Sequence, residues 1–559
     1  MIPKILTEEM ISKIKTDAFY KKDIDAVRKE AEKELERPYP DMRFSKLMLF
    51  PDIGERREYE DEYFLKRKRL NYFTLMFLLY REEKYKKALE DCIWNICGEI
   101  TWCLPAHIDY TEPVSRWQDR IDLFAAETGG ALAEILSLAG DSISKPLADF
   151  ARSEIRRRVI NSFLAEKNRF FWETTDFNWA AVCAGSVGIA MFYESDKEEI
   201  EMALPRILDT MDCYLSGINN DGCCMEGLVY WNYGFGFFTY FADLLKKYTN
   251  GEKNLFELEK VHETAKFQFN MHMGETRCVS FSDAISKFMA NAGLSGYLSK
   301  IYDDISPLPS EWFEIKDERY RWFAFIRNFV WAVRSEADSF KPTEYKLYKD
   351  AQWYIRNTAE YSFAAKGGHN EEPHNHNDIG SFIFVSDDKQ ILADYGAGKY
   401  TRQYFHDERY TFLVTSSRGH SVPIIDGEYQ KNGKESRGRI ISASEKEFTL
   451  DISEAYGICG LSAVRKFTVY PNGIGVTDTI SMDREFNLTE RFFTCIKPLC
   501  KDGVITIDGY RLSYDSAELE AEISEETFEG KYNKETAYLI DFKPKTVRDA
   551  YKFEFKLFN

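Results

Sequence analysis

The chain is 559 residues long, carries a formal net charge of -18, and is 44% hydrophobic and 15% aromatic. That length calls for more than one core at the usual size of about 100 to 200 residues per domain. The acidity excludes a general nucleic-acid or membrane-surface binder, because such partners are held by clustered Lys and Arg. The 42 Phe and 33 Tyr suit a folded protein with aromatic grooves in which sugar rings can stack.

In chain order, the opening "MIPKILTEEMISKIKTDAF" interrupts every apolar run with charge, so neither a secretory leader nor an anchor is expected there. No later segment reaches about 18 uncharged apolar residues. The eleven cysteines are scattered without CxxC spacing, which points to reduced thiols and a cytoplasmic location. From about residue 5 to 340 apolar residues recur three and four apart, as in "YFTLMFLLYREEKYKKALEDCIWNICGEITW" (72 to 102). Successive amphipathic hairpins over that span predict an (α/α) toroid, with a solenoid as the alternative. After about residue 345 the period falls to two, and "PNG" (471 to 473) marks a hairpin. The expected organisation is therefore a helical domain over 1–344 and an antiparallel β-sandwich over 345–559.

Three motifs carry candidate chemistry. In "FNWAAVCAGSVGIAMFY" (177 to 193), Asn178 sits at a helix start, where an N-cap is the ordinary reading. Ala184, Gly185 and Gly188 in the same helix allow close helix contact. In "DGCCMEGLVYWNYGFGFFTY" (221 to 240), Glu226, Tyr230, Trp231 and Tyr233 stand at a turn leading into a helix, a position from which a loop presents reactive groups. The third motif is "HNEEPHNHNDIGSF" (369 to 382), and five of the eight histidines lie between 369 and 420. His374 and His376, two apart on an expected strand, would share one face. Asp394 in "LADYG" and His420 in "SSRGHSV" follow. A His-Asp-His set with water would suit four-coordinate Zn²⁺; polar turn caps are the other reading. An anionic ligand would need local positive charge, and Arg402, Arg409 and Arg418 are near the histidines in sequence.

Together, "NWAAVCAGSVG", "EGLVYWNYGFGFF", "FSDA" (281 to 284), "HNHNDIGSFIF", "ADYGAGKYT" and "SSRGHSV" resemble the heparinase II/III-like polysaccharide lyases from about residue 70 onward. The resemblance implies a toroid followed by a sandwich. It also implies β-elimination of uronate-containing oligo- or polysaccharides, glycosaminoglycan-like or alginate-like. It makes Asn178 the carboxylate neutraliser, Tyr230 base and acid, and His374 a second proton-transfer partner. His376, Asp394 and His420 become ligands of a structural zinc, and Glu226, Trp231, Tyr233 and Arg402 substrate contacts. Tyr233 is also an alternative base. Many relatives have a histidine directly after the Asn, where this chain has Trp179; His107 could fill that gap, although a structural histidine is the stronger reading.

Rival functions are a uronate epimerase, a toroid glycosidase using Glu226 and Asp283 as paired carboxylates, and a glycan-binding protein without turnover. The glycosidase leaves the histidines unexplained. The expected partner is an anionic uronate glycan, with no nucleic acid and no membrane; a homo-oligomer is left open.

Overall fold

The computed structural model describes residues 4–287, 291–313, 319–336, 340–501 and 503–559, so the first three residues of the opening stretch lie outside them. The chain divides into two compact units: 1–217 with 232–262 and 289–340, and 341–559 with the earlier segments 218–231 and 263–288.

The first unit is helical. Its helices start where side chains satisfy free N–H groups: Asp122 accepts from the Ala125 amide ahead of Leu123–Ala139, and Asp196 forms a reciprocal capping box with Glu199 ahead of Lys197–Ser216. The stretch Leu123–Ser142 is long and apolar enough to cross a bilayer by composition, yet 89% of its apolar window is buried inside the fold. It is a core helix. Its Glu134 is buried and pairs with Arg327 at 3.0 Å and Trp322 Nε1 at 2.9 Å. Asn178–Glu194 packs against it. Asn178 is the first helical residue, and Phe177 occupies the cap position expected for it. The small residues act as anticipated: a Cβ on Gly185 would stand 3.1 Å from the Phe237 carbonyl, and one on Gly188 2.5 Å from the Phe241 ring.

The second unit is built on antiparallel sheets. Five strands, Tyr345–Tyr348, Trp353–Asn357, Ser362–Lys366, Phe382–Ser386 and Lys389–Leu392, form a meander in which each pairs with the next. Asp387 and Asp388 join the last two with φ of 50° and 54°, the left-handed pair that a two-residue hairpin turn demands. An eight-stranded sheet contains the hairpin Ser462–Tyr470 and Gly473–Phe486, closed at Tyr470 and Gly473 where "PNG" placed it. A four-stranded sheet is centred on Leu488–Thr494 and Lys534–Pro544. Apolar residues at alternate strand positions meet in one core, including Phe363, Phe382, Phe467, Phe492, Phe542 and Phe555.

That core encloses one charge cluster. Arg465 is fully buried, donates to both carboxylate oxygens of Asp478 at 2.8 and 2.7 Å, and lies 3.3 Å from Glu490. Removing one member leaves uncompensated buried charge, which costs about 3–5 kcal/mol. Arg465→Leu should lower the unfolding free energy of the strand-rich unit by that amount in urea titrations; a loss below about 1 kcal/mol would show that the carboxylates find other partners.

Candidate functional site

Four loops of the second unit converge on Asp283. The turn before the helix Leu228–Tyr248 approaches residues 281–284 so closely that a Cβ on Gly227 (φ 86°) would meet the Ala284 Cβ at 3.0 Å. On the other side a Cβ on Gly396 (φ 74°) would overlap the Ala284 carbonyl at 2.0 Å, and the Ala397 amide donates to that carbonyl at 2.8 Å. Only glycine fits either place. These approaches explain why "EG", "FSDA" and "ADYGAG", far apart in sequence, form one wall.

Asp283 is buried and meets four donors. Oδ2 lies 2.8 Å from His374 Nδ1 and 3.0 Å from an Arg409 nitrogen; Oδ1 lies 2.6 Å from the Tyr404 hydroxyl and 3.1 Å from His376 Nε2. Burial alone would raise its pKa, but the Arg409 charge and the two histidine bonds outweigh burial and hold the carboxyl well below its usual range. An ionised carboxylate only accepts hydrogen bonds. His374 therefore carries its proton on Nδ1 when neutral, with Nε2 open, and His376 carries its proton on Nε2.

Tyr230 stacks on the His374 ring with centroids 4.1 Å apart, and its hydroxyl lies 2.8 Å from that of Tyr400. Burial, then the charge of Asp283, push the Tyr230 phenol far above its usual range; Glu226 adds to this, and the Tyr400 hydrogen bond and Arg409 oppose it. Glu226 is itself buried, 3.9 Å from His374 Nε2. A pocket of about 510 Å³ opens beside His374, bordered by Tyr404, Phe405, His406, Arg409 and Asn432.

Behind this layer His376, Asp378, Asp394 and His420 are buried, with one ligand atom from each lying within 4.8 Å of all the others. His376 Nδ1, Asp378 Oδ2, Asp394 Oδ2 and His420 Nδ1 have no hydrogen-bond partner. The opposite atoms are engaged: His376 Nε2 by Asp283, His420 Nε2 by the Val414 carbonyl at 2.8 Å, Asp378 Oδ1 by Lys366 at 2.6 Å, and Asp394 Oδ1 by the Gly396 amide at 2.9 Å. Four orphaned donor atoms facing one another, each with its back tied, are what a cation needs. His420 Nδ1 and Asp394 Oδ2 are 3.4 Å apart, the spacing of two ligands each about 2.1 Å from one tetrahedral ion. The cluster can hold a metal ion.

Several expectations are revised. His374 and His376 do not lie on a strand: residues 374–378 are loop, and His374 has a φ of 59°. Asp394 follows the strand Lys389–Leu392 instead of lying in it. Trp231, expected to face substrate, is fully buried and donates to the Thr264 carbonyl at 2.9 Å, so it packs and offers no face to a sugar. Tyr233 belongs to the helical unit, where its hydroxyl bonds Glu127 and Arg321 covers its ring at 3.9 Å. Asn178 is buried in that same unit. There too, His107 is bound to Asp122 at 2.6 Å and touches Trp179, with ring centroids 4.8 Å apart. Arg402 is exposed; the arginine that reaches the cluster is Arg409. His369, the first histidine of its stretch, accepts the Glu371 amide and has the turn-capping role. Asp378, Tyr400 and Tyr404 were not among the expected site residues, and Arg409 was marked only as one of three arginines near the histidines. Asp378 could have been found two positions after His376, but nothing local marks the two tyrosines.

Residues 341–503 match the family model described as "Heparinase II/III-like, C-terminal". The match is a likeness of this segment, which is less than a third of the chain. No curated protein sequence matches the chain. Among solved structures, a heparinase III aligns over 100% of this chain and 92% of its own at 14% identity and a TM-score of 0.62. The heparan sulfate lyase HepC of Pedobacter heparinus aligns over 95% and 82% at 14% identity, TM-score 0.59. The Streptomyces coelicolor A3 chondroitin AC lyase in complex with chondroitin sulphate aligns over 98% and 82% at 9% identity, TM-score 0.56. The fold is that of these lyases, an N-terminal α/α toroid followed by a C-terminal antiparallel β-sandwich. The matched segment contains His374 and all four residues of the buried cluster.

The cluster makes a direct prediction. Purified protein should retain about one equivalent of a divalent metal by elemental analysis, and His420→Ala should reduce this to near zero and lower the thermal midpoint. Full metal content in that variant would place the ion elsewhere.

Proposed function

We propose that the protein is a polysaccharide lyase that cleaves uronate-containing glycans by β-elimination. The observation that carries this reading is the pairing of His374 with Tyr230: an imidazole with an open Nε2 stacked on a phenol held in its protonated form. Elimination needs a base for the uronate C5 proton and an acid for the departing O4. His374 Nε2 serves as the base, because the hydrogen bond between Nδ1 and the Asp283 carboxylate fixes the tautomer in which Nε2 carries no proton. Tyr230 is assigned the acid because its hydroxyl is protonated here, whereas a phenolate base would have to form against burial and the Asp283 charge. The resemblance assigned both duties to Tyr230, and the electrostatics favour dividing them. Asn178 keeps its proposed role as the amide that neutralises the substrate carboxylate, where enolate charge develops.

The buried cluster supplies the two nitrogen and two oxygen donors that suit Zn²⁺. Bound there, the ion would neutralise Asp378 and Asp394 and brace the loops. No water is activated, since elimination consumes none. The fold supports a sugar polyanion as substrate, given the chondroitin sulphate bound by one structural neighbour. The glycosidase reading loses ground because Asp283, saturated by four donors, has no lone pair positioned for nucleophilic attack.

The test is ultraviolet absorbance from a new C4–C5 double bond, measured on heparan, chondroitin, hyaluronan and alginate polymers and oligosaccharides. One or more should give a rising signal. On that substrate Tyr230→Phe and His374→Gln should each reduce kcat by about 10²–10⁴-fold with little change in KM. Undiminished turnover in either variant would remove that residue from the mechanism, and proton exchange at C5 without absorbance would indicate an epimerase.

A further inference from the structure

The two histidines of "HNH" answer to the same carboxylate. His376 offers Nδ1 to the metal cluster and rests its Nε2 on Asp283 Oδ1 at 3.1 Å; His374, which borders the pocket, rests its Nδ1 on Asp283 Oδ2 at 2.8 Å. Only Asn375 separates them, and it is clamped: Arg409 donates to its carbonyl at 3.0 and 3.2 Å, and Tyr410 to its side-chain oxygen at 2.9 Å. Arg409 also contacts Asp283 at 3.0 Å, closing a ring of contacts through 283, 374, 375, 376 and 409. Both sides of the ring adopt left-handed backbone without glycine, Ser282 at φ 63° and His374 at φ 59°. Such conformations persist only where the surroundings over-determine them.

We propose that Asp283 is a positioning residue that couples the buried metal cluster to His374, so that loading the cluster fixes the orientation of the imidazole facing the pocket. The duty of His374 in catalysis rests on the lyase reading, but the coupling itself does not. A ligand histidine whose far nitrogen is held by a carboxylate transmits its ring orientation to that carboxylate. Here the same carboxylate has a second imidazole on its other oxygen, so a shift of His376 on metal loss cannot leave His374 in place. A purely structural Asp283, present only to neutralise Arg409, would need neither histidine contact.

The experiment uses the full chain labelled with ¹⁵N at histidine, stripped with chelator and titrated with Zn²⁺ alone, with the His374 signals identified from their absence in His374→Gln. His376 and His420 signals should move through direct ligation, and the His374 signals should move with them in one saturable step at one equivalent. In Asp283→Asn the metal should bind about 10–100-fold more weakly, and at saturation the His374 signals should no longer follow. Should Asp283→Asn fail to fold, the wild-type titration decides by itself. Tyr404→Phe, which removes one donor from Asp283 but keeps the carboxylate, should preserve the coupling. His374 signals that stay fixed while those of His376 and His420 move would overturn the proposal, as would the absence of any Zn²⁺ uptake. No substrate enters the titration, so coupling in a protein inactive on every glycan would retire the lyase reading alone, and activity without coupling would retire the positioning role alone.

Discussion

The strand-rich unit is organised around a buried negative charge. A carboxylate removed from water is costly unless its lone pairs are filled and its charge is matched, and Asp283 meets this requirement with groups drawn from widely separated stretches of chain: His374, His376, Tyr404 and Arg409. None of these contacts is local. The loops that provide them cannot settle independently, because each completes a shell that would otherwise leave an unpaired ion. The close approaches at Gly227 and Gly396 bring the neighbouring loops to the same residue from opposite sides. The positions of Tyr230, Glu226 and the cluster behind them follow from that convergence.

The two layers of the site share a construction. Each outward group has its inward atom tied, whether His420 to a carbonyl, Asp378 to Lys366, or Asp394 to a backbone amide. Tying one end fixes tautomer and orientation before any ligand arrives. Asp394 adds an electrostatic feature: burial would raise its pKa, but the neighbouring His420 outweighs that and keeps it below its usual range.

Much of this was legible from residue order. The change from helical to alternating periodicity separated the two kinds of structure, and the crowding of histidines marked the cluster because imidazoles are rare in this chain. His376, Asp394 and His420, which the resemblance grouped, lie in one buried group with Asp378. What could not be read depends on long-range closure. Segments 218–231 and 263–288 precede the strands in sequence yet cluster with them; their apolar pattern is helical, and nothing in a period reports which core a segment joins. Trp231 looked like a sugar platform because aromatics at a loop edge do so in sequence, whereas its burial follows from packing against Phe267. The strand assigned to "HNHN" failed for a related reason. Alternation implies a strand only when backbone groups pair in a ladder, and here the side chains of Arg409 and Tyr410 bind Asn375 instead.

The sign of the field in the site bears on the proposed elimination. An acidic chain with Asp283 and Glu226 beside the proposed reacting groups is at first sight poorly suited to a uronate. The same negative charge, however, bears on both groups that the proposal assigns to proton transfer. It opposes a phenolate at Tyr230, so the tyrosine is not a base at rest, and its hydrogen bond holds the neutral His374 proton on Nδ1. Repulsion of the substrate carboxylate is limited because Arg409 and three hydrogen bonds have already taken up the charge of Asp283. Its influence therefore falls mainly on the groups it touches.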